Sequence, residues 1–351
     1  MLDLKPSAMR AHDPLASALC LWPGTEGGRS RLLNHSENHS FRVDISDKPA
    51  FVLRVHRAGY QSRRSIESEL SWLDAIGRDT KVKVPQPLTG RDGERVQDIP
   101  FGQNETRLAV LFAFEKGEEP TADQDLTALF SRLGETAAIL HDHARTWAFG
   151  KEIERPRWTS ASMLDPDGLW GDWRVAPGVD GPIADTLHAA DAVLRRELAA
   201  YGEGSDRFGL IHADMRLANL LVAGDQLTVI DFDDCGFGWH LYDCAAALSF
   251  IDTEPRALGL QQAWIEGYRR IRDLGAEHIA MLPAMMLLRR MVLLAWIGTH
   301  GETPLAQMHA PRFAADTAKL AADYLAATGA GGSQRRSIAA VTPQISPTTR
   351  K

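Results

Sequence analysis

A chain of 351 residues, 44% apolar and 24% charged, has room for two modest lobes and the profile of an ordinary soluble globular protein. Its formal net charge of −7 argues against a nucleic-acid partner, because a phosphate backbone requires a clustered basic surface. Cys20, Cys235 and Cys244 show neither CxxC spacing nor a paired framework, so a reducing, cytoplasmic location is the economical reading. The N-terminal MLDLKPSAMRAHD has no apolar run of signal-peptide length. The most apolar stretch, 279–297, is interrupted by Pro283, Arg289 and Arg290, whereas a membrane span needs about 20 nearly unbroken apolar residues. A buried helix is expected there, with Met281, Met285, Met286, Leu287, Met291 and Leu294 in the core, and no membrane partner.

Residues 41–45 and 50–56 predict successive strands, joined by a turn at Asp47-Lys48-Pro49. Residues 62–76 carry Ile66, Leu70 and Leu73 at helical spacing, and 107–114 is an almost wholly apolar strand candidate. Beyond about residue 120 the period becomes helical. Residues 126–144 place Leu129, Phe130, Leu133, Ala137 and Leu140 on one side, and 183–201 form a second amphipathic helix. The Pro-, Gly- and Trp-rich segment 155–181 between them is expected to be an ordered loop. A short β region at 208–232 is followed by helices through 327, and from Thr328 the pattern is that of a disordered tail. The fold class expected is α+β: a small β-rich N-lobe (1–114), a larger helical C-lobe (115–327) and a tail (328–351). The hinge falls near 112–117, a layout that suits a nucleotide held between lobes.

The strongest chemical signal is His212-x-Asp214-x-x-x-x-Asn219, followed by an apolar strand that ends in Asp231. In phosphoryl transfer such a pattern supplies an acid to orient and deprotonate a hydroxyl, and a neutral oxygen ligand for a metal. Residues 220–222 and 227–230 are β-formers flanking a turn signal. A turn around 224–226 would set Asn219 opposite Asp231, with Cα atoms roughly 4.5–5.5 Å apart. Sparse, hard oxygen ligands completed by substrate phosphates suit Mg²⁺. Asp214 stands one short loop away. The plain alternative is that Asp214 caps a loop and Asn219 satisfies a turn.

With these residues in place, segment 210–248 resembles the catalytic core of the aminoglycoside phosphotransferase family, with its choline, homoserine and fructosamine kinase relatives and a fold like that of protein kinases. The resemblance implies that Asp214 is the catalytic aspartate, that Asn219 and Asp231 are the metal ligands, and that Asp243 braces the catalytic loop from the following helix. Arg216 falls where protein kinases often carry a lysine that contacts the transferred phosphate. Two departures stand out. Ala213 replaces the commoner glycine, which is tolerable if φ there is negative, and Asp233 stands where a glycine is usual. The likeness is weaker in the N-lobe, where Arg54 occupies the position of a phosphate-binding lysine. Glu69, close to the apolar stripe of its helix, is its natural partner, and a purely structural ion pair is the alternative. Residues 33–40, including Ser36, would form a phosphate-covering loop without G-x-G-x-x-G, and Phe112 and Phe114 an adenine wall.

Neither His35/His39 nor His141/His143 is expected to bind metal. Trp158, Trp170 and Trp173 either cover an acceptor, favouring one that bears an amine, or anchor the loop. Asp233 and Asp234 either bind a cationic acceptor or cap a turn. The expected activity is therefore ATP- and Mg²⁺-dependent transfer of the γ-phosphate to a hydroxyl of a small molecule. A serine/threonine protein kinase is disfavoured because only residues 232–242 separate Asp231 from Asp243, with no A-P-E anchor. A non-catalytic ATP-binding regulator would have no use for Asp214, Asn219 and Asp231. A two-metal hydrolase on Asp231, Asp233 and Asp234 would leave His212, Asp214 and Asn219 without a role.

Overall fold

Ser46 and Asp47, with φ of 51° and 61°, close the first well-formed hairpin, because two successive left-handed residues match the twist of paired strands. The turn is thus Ser46-Asp47 rather than Asp47-Lys48-Pro49. Lys48 and Pro49 already belong to the next strand, where Pro49 lies opposite Asp44 at a bulge. The structure, a computed structural model, describes residues 15–35, 38–102, 105–148 and 153–329. Two compact units make up the chain: Met1–Arg78 with Lys83–Gly117, and Asp79–Val82 with Glu118–Lys351.

In the first unit, helix α1 (Ala16–Leu19) precedes strands β1 (Arg29–His35), β2 (His39–Ile45) and β3 (Lys48–Val55). Helix α2 (Arg63–Asp79) follows, then β4 (Val96–Phe101) and β5 (Glu105–Ala113). The antiparallel sheet runs β1-β2-β3-β5-β4. Alternation along β3 buries Leu53 and Val55 with Val43, Ile99, Leu111, Leu15 just before α1 and Leu19 within it. Arg54 points away from that core. Two strands went unread: β4 carries Asp98 and Pro100 because it is an edge strand, and β1 takes in residues expected to be loop. Of residues 33–40, 33–35 belong to β1 and 39–40 to β2, while 36–37 lie outside the described residues.

The second unit contains α3 (Thr127–Thr146), α4 (Ser160–Leu164), α5 (Gly181–Tyr201), β6 (Phe208–Ile211), β7 (Leu220–Ala223), β8 (Gln226–Val229) and β9 (Gly236–Trp239). Helices α6 (Tyr242–Ala247), α7 (Ala257–Arg269), α8 (Ala276–Ile279), α9 (Leu282–Thr299) and α10 (Pro304–Gly329) complete it. β6 pairs with β9 and β7 with β8. Helix α10 extends past Thr328, whose hydroxyl donates to Tyr324 O, so the helix reaches into the stretch expected as tail. α9 is the expected core helix: Met285, Leu287, Met291 and Leu294 are fully buried, and the segment around it is long and apolar enough for a membrane span but is 78% buried here. Arg289 and Arg290, expected only as interruptions, are themselves buried.

Helices α3 and α7 cross at a pair of glycines. A Cβ on Gly134 would lie 1.9 Å from Trp264 O, and one on Gly267 would lie 1.8 Å from Ser131 O. Only bare backbone fits, and this closeness brings α7 Tyr268 to α3 His141. Gly267→Ala is therefore expected to destabilise the fold by about 3 kcal/mol, the upper end for overpacking, because backbone rather than a side chain must yield. Urea unfolding of the two proteins checks this.

Candidate active site

The hairpin β7–β8 turns on Gly224 and Asp225, with Gly224 at φ 59° and Ala223 paired to Gln226. Leu220 pairs with Val229, and the next rung joins Asn219 to Ile230, whose N–H donates to Asn219 O at 2.9 Å. Asn219 is therefore not directly opposite Asp231, as a three-residue turn centred on Asp225 would require; Asp231 lies one residue beyond. Asp231 is exposed and bends away from the strand at φ 61°.

Asp214 is 8% exposed and accepts from three side chains. Asn219 Nδ2 donates to Asp214 Oδ2 at 2.8 Å and to its main-chain O at 2.7 Å. Arg216 Nε donates to Oδ2 at 3.2 Å. On the other side, Arg289 Nη2 from α9 donates to Oδ1. Burial alone would push the Asp214 carboxyl up, but Arg289 and then Arg216 outweigh it, and it is held below the ordinary carboxylate range. Because both bonds to Asp214 use the amide nitrogen of Asn219, its amide oxygen is left as an acceptor. That suits a hard divalent cation, and Asp231 adds an exposed carboxylate. Among the described residues no group of three or more His, Cys, Asp and Glu could hold a metal, so a cation here would depend on few protein ligands and on substrate oxygens.

The loop under Asp214 is strained. Ala213 sits at φ 70°, contrary to the negative φ that would have made its replacement of glycine costless; left-handed alanine costs about 1–2 kcal/mol. Asp233, the other departure, has no positive φ, which falls instead on Asp231. Asp243 of α6 holds the strained turn: its carboxylate accepts Ala213 N–H at 2.8 Å and His212 N–H at 3.2 Å. His141 Nε2 reaches the same carboxylate at 2.9 Å, while its Nδ1 meets Tyr268 Oη at 3.0 Å. His212 Nδ1 accepts Asp214 N–H at 3.2 Å, so its Nε2 carries the proton and donates to Ile230 O at 3.1 Å. A single imidazole thus ties the loop at Asp214 to the residue that follows β8.

The segment after Asp231 is braced from 155–158. Arg155 Nε donates to Cys235 O at 2.6 Å, and Trp158 Nε1 to Asp234 O at 2.8 Å. Gly236 allows this approach, since a Cβ there would lie 2.5 Å from Pro156 O. Trp158, Trp170 and Trp173 are all buried, which makes them anchors of their loop. Trp170 also lies against Arg289, 5.1 Å from ring centroid to guanidinium carbon.

Within the first unit, Arg54 Nη2 donates to Glu69 Oε1 and Oε2 at 2.8 and 2.7 Å, a buried pair. The guanidinium also lies 5.0 Å from the Phe112 ring centroid. The structure thus brings Arg54, Glu69 and Phe112 together. Phe114 is half-buried, with its N–H bonded to Ala50 O at 3.0 Å, and Ala113 N–H is bonded to Gln86 O. Ser36 lies outside the described residues. Sequence reading missed Arg289, which looked like a break in an apolar helix, and His141, one turn after Ala137 on the buried face of α3.

The profile of the Phosphotransferase enzyme family matches residues 30–274. A solved microcompartment-associated aminopropanol kinase superposes with a TM-score of 0.82 at 40% identity, covering 90% of this chain and 97% of that one. The homoserine kinase of Beijerinckia indica subsp. indica is 31% identical over 260 residues, 71% of this chain and 73% of that protein. An amicoumacin kinase solved with AMP-PNP and Ca²⁺ shares the fold, with 18% identity and a TM-score of 0.69 over 87% of this chain and 92% of that one. The expected kinase-like α+β fold is borne out.

Three buried imidazoles make stability depend on pH. Burial holds His141 and His240 well below the ordinary histidine value of 6.5, and lowers His212 despite nearby carboxylates. A depressed folded value gives stability that is complete above about pH 6.5 and is lost as pH falls. Asp243, which burial pushes up to about 6, acts in the opposite direction between its ordinary 3.8 and that value, but it is one group against three. The unfolding midpoint is expected to fall steadily from about pH 7 to about pH 5. Thermal scans across that range check it, and His141→Gln is expected to flatten the slope.

Proposed function

The chain belongs to the phosphotransferase enzyme family, and from that premise we propose that it moves the γ-phosphate of ATP to the hydroxyl of a small amine-bearing acceptor, with an amino alcohol as the first candidate. The observation that carries the reading is Asp214: a carboxylate kept ionised inside a strained, fully braced loop, beside an amide oxygen and an exposed carboxylate suited to a divalent cation. The 40% identity to an aminopropanol kinase over 90% of the chain supports an amine-bearing acceptor.

The acceptor hydroxyl donates to Asp214 Oδ2, where the half-buried Arg216 can move aside. Its oxygen attacks the γ-phosphorus as the bond to the β-phosphate oxygen breaks, releasing ADP. In the loose transition state of phosphoryl transfer the hydroxyl keeps its proton until late. Asp214 therefore needs only modest basicity; it orients the nucleophile and takes the proton once the new O–P bond has made it acidic. Arg216 stabilises charge on the transferred group. Arg54, held by Glu69, is assigned to the nucleotide phosphates in the manner of the lysine it replaces. Mg²⁺, when bound to the Asn219 amide oxygen and the Asp231 carboxylate, would neutralise phosphate charge.

Asp214→Ala is expected to lower phosphate transfer to the best acceptor by about 10³-fold while leaving ATP affinity within about threefold. An ADP-release assay over amino alcohols, hydroxy-amino acids, sugars and aminoglycosides, with nucleotide binding measured in parallel, tests this. Unchanged turnover in Asp214→Ala would overturn the reading, and preference for acceptors without an amine would overturn the acceptor class.

A further inference from the structure

Arg289 is a charge placed inside the protein by α9, with 2% of its surface exposed. An isolated buried cation is strongly unfavourable, so every donor should have a purpose. Nε donates to Ser249 Oγ at 2.9 Å, and Nη1 donates to Tyr242 Oη at 3.3 Å and to Ala213 O at 3.4 Å. Nη2 donates to Asp214 Oδ1. The rings of Trp170 and Tyr242 lie 5.1 and 5.7 Å from the guanidinium carbon. One planar group thereby contacts the catalytic-loop carbonyl at the strained residue, the carboxylate that follows it, helix α6 and the tryptophan loop. A lysine could not span this set, because its donors radiate from one nitrogen.

Resting on the phosphotransferase reading, we propose that Arg289 is a positioning residue: it locks the Oδ1 edge of Asp214 to the main chain of the catalytic loop, so that only the Oδ2 edge is presented to the acceptor hydroxyl. The two edges differ physically. Oδ1 is held by a cation that is buried and engaged on all sides, so its release would leave that cation unpaired in the interior. Oδ2 is held by Asn219 and by Arg216, whose side chain is 21% exposed and can move into solvent. Asp214 is consequently fixed about one axis and available along the other, the arrangement needed to hold an attacking oxygen in line.

Arg289→Met and Arg289→Lys separate orientation and charge from packing. With ATP and aminopropanol, Arg289→Met is expected to lose about 100-fold in kcat, the effect of an ångström-scale displacement, while KM for ATP changes less than about threefold. Arg289→Lys keeps the charge without the fork and is expected to stay at least about tenfold low in kcat at near wild-type KM for both substrates. A packing defect would instead raise KM for ATP and for aminopropanol together with the loss of kcat, and that result in either variant overturns the proposal, as does a wild-type kcat in Arg289→Lys. If Arg289→Met does not fold, Arg289→Lys alone decides by the same two readouts. Should these variants behave as wild type while Asp214→Ala is inactive, the positioning role falls and the phosphotransferase reading stands; an active Asp214→Ala removes the reading itself.

Discussion

A carboxylate buried to 8% exposure, and required as an anion by the proposed reaction, is the constraint on which the rest of the site depends. Burial favours the neutral acid, and a neutral Asp214 could not accept a hydroxyl proton. The protein answers with Arg289 beneath and Arg216 above, and Asn219 fills the remaining lone-pair direction. Each of these residues needs its own support. Arg289 requires Ser249, Tyr242 and the apolar length of α9; Asn219 requires the rung to Ile230 that ends the hairpin. Charge placement thus determines which helices and turns must meet.

The same reasoning explains the strain beside it. Ala213 adopts a left-handed φ because its N–H and C=O are aimed at two different charges, Asp243 and Arg289. The penalty of about 1–2 kcal/mol for alanine there is offset by two bonds to ionised groups, each contributing on the order of 1.5–3 kcal/mol. Asp243 is held in turn by His141, whose other ring nitrogen meets Tyr268, and that second contact depends on the glycine crossing of α3 and α7. The loop that carries Ala213 and Asp214 is therefore fixed by groups far from it in sequence.

What could be read from the sequence follows the range of the interactions. Helical periods, the β3 alternation around Arg54 and the His212–Asp214–Asn219 spacing are local patterns, and all three correspond to what is observed. The hairpin register was missed by one residue because a left-handed Gly224 supports a two-residue turn where composition allowed three. β9 was missed because Gly236-Phe237-Gly238-Trp239 has turn composition, its glycines being needed for close approach to Pro156 and Ile211. Arg289 could not be found from local pattern. A basic residue in an apolar helix looks like an interruption until the fold brings a buried carboxylate to it across 75 positions.

In this account Asp214 is an orienting anion whose basicity is limited by design, rather than a strong base activated by burial. The most direct measurement is the carboxyl-carbon NMR shift of Asp214 in ¹³C-aspartate-labelled protein, assigned by its loss in Asp214→Asn and followed from about pH 8 to about pH 5. The expected result is a flat ionised shift throughout, because Arg289 and Arg216 hold the group below the ordinary carboxylate range. A titration midpoint inside that range would mean that burial prevails over the two arginines, and would contradict the account.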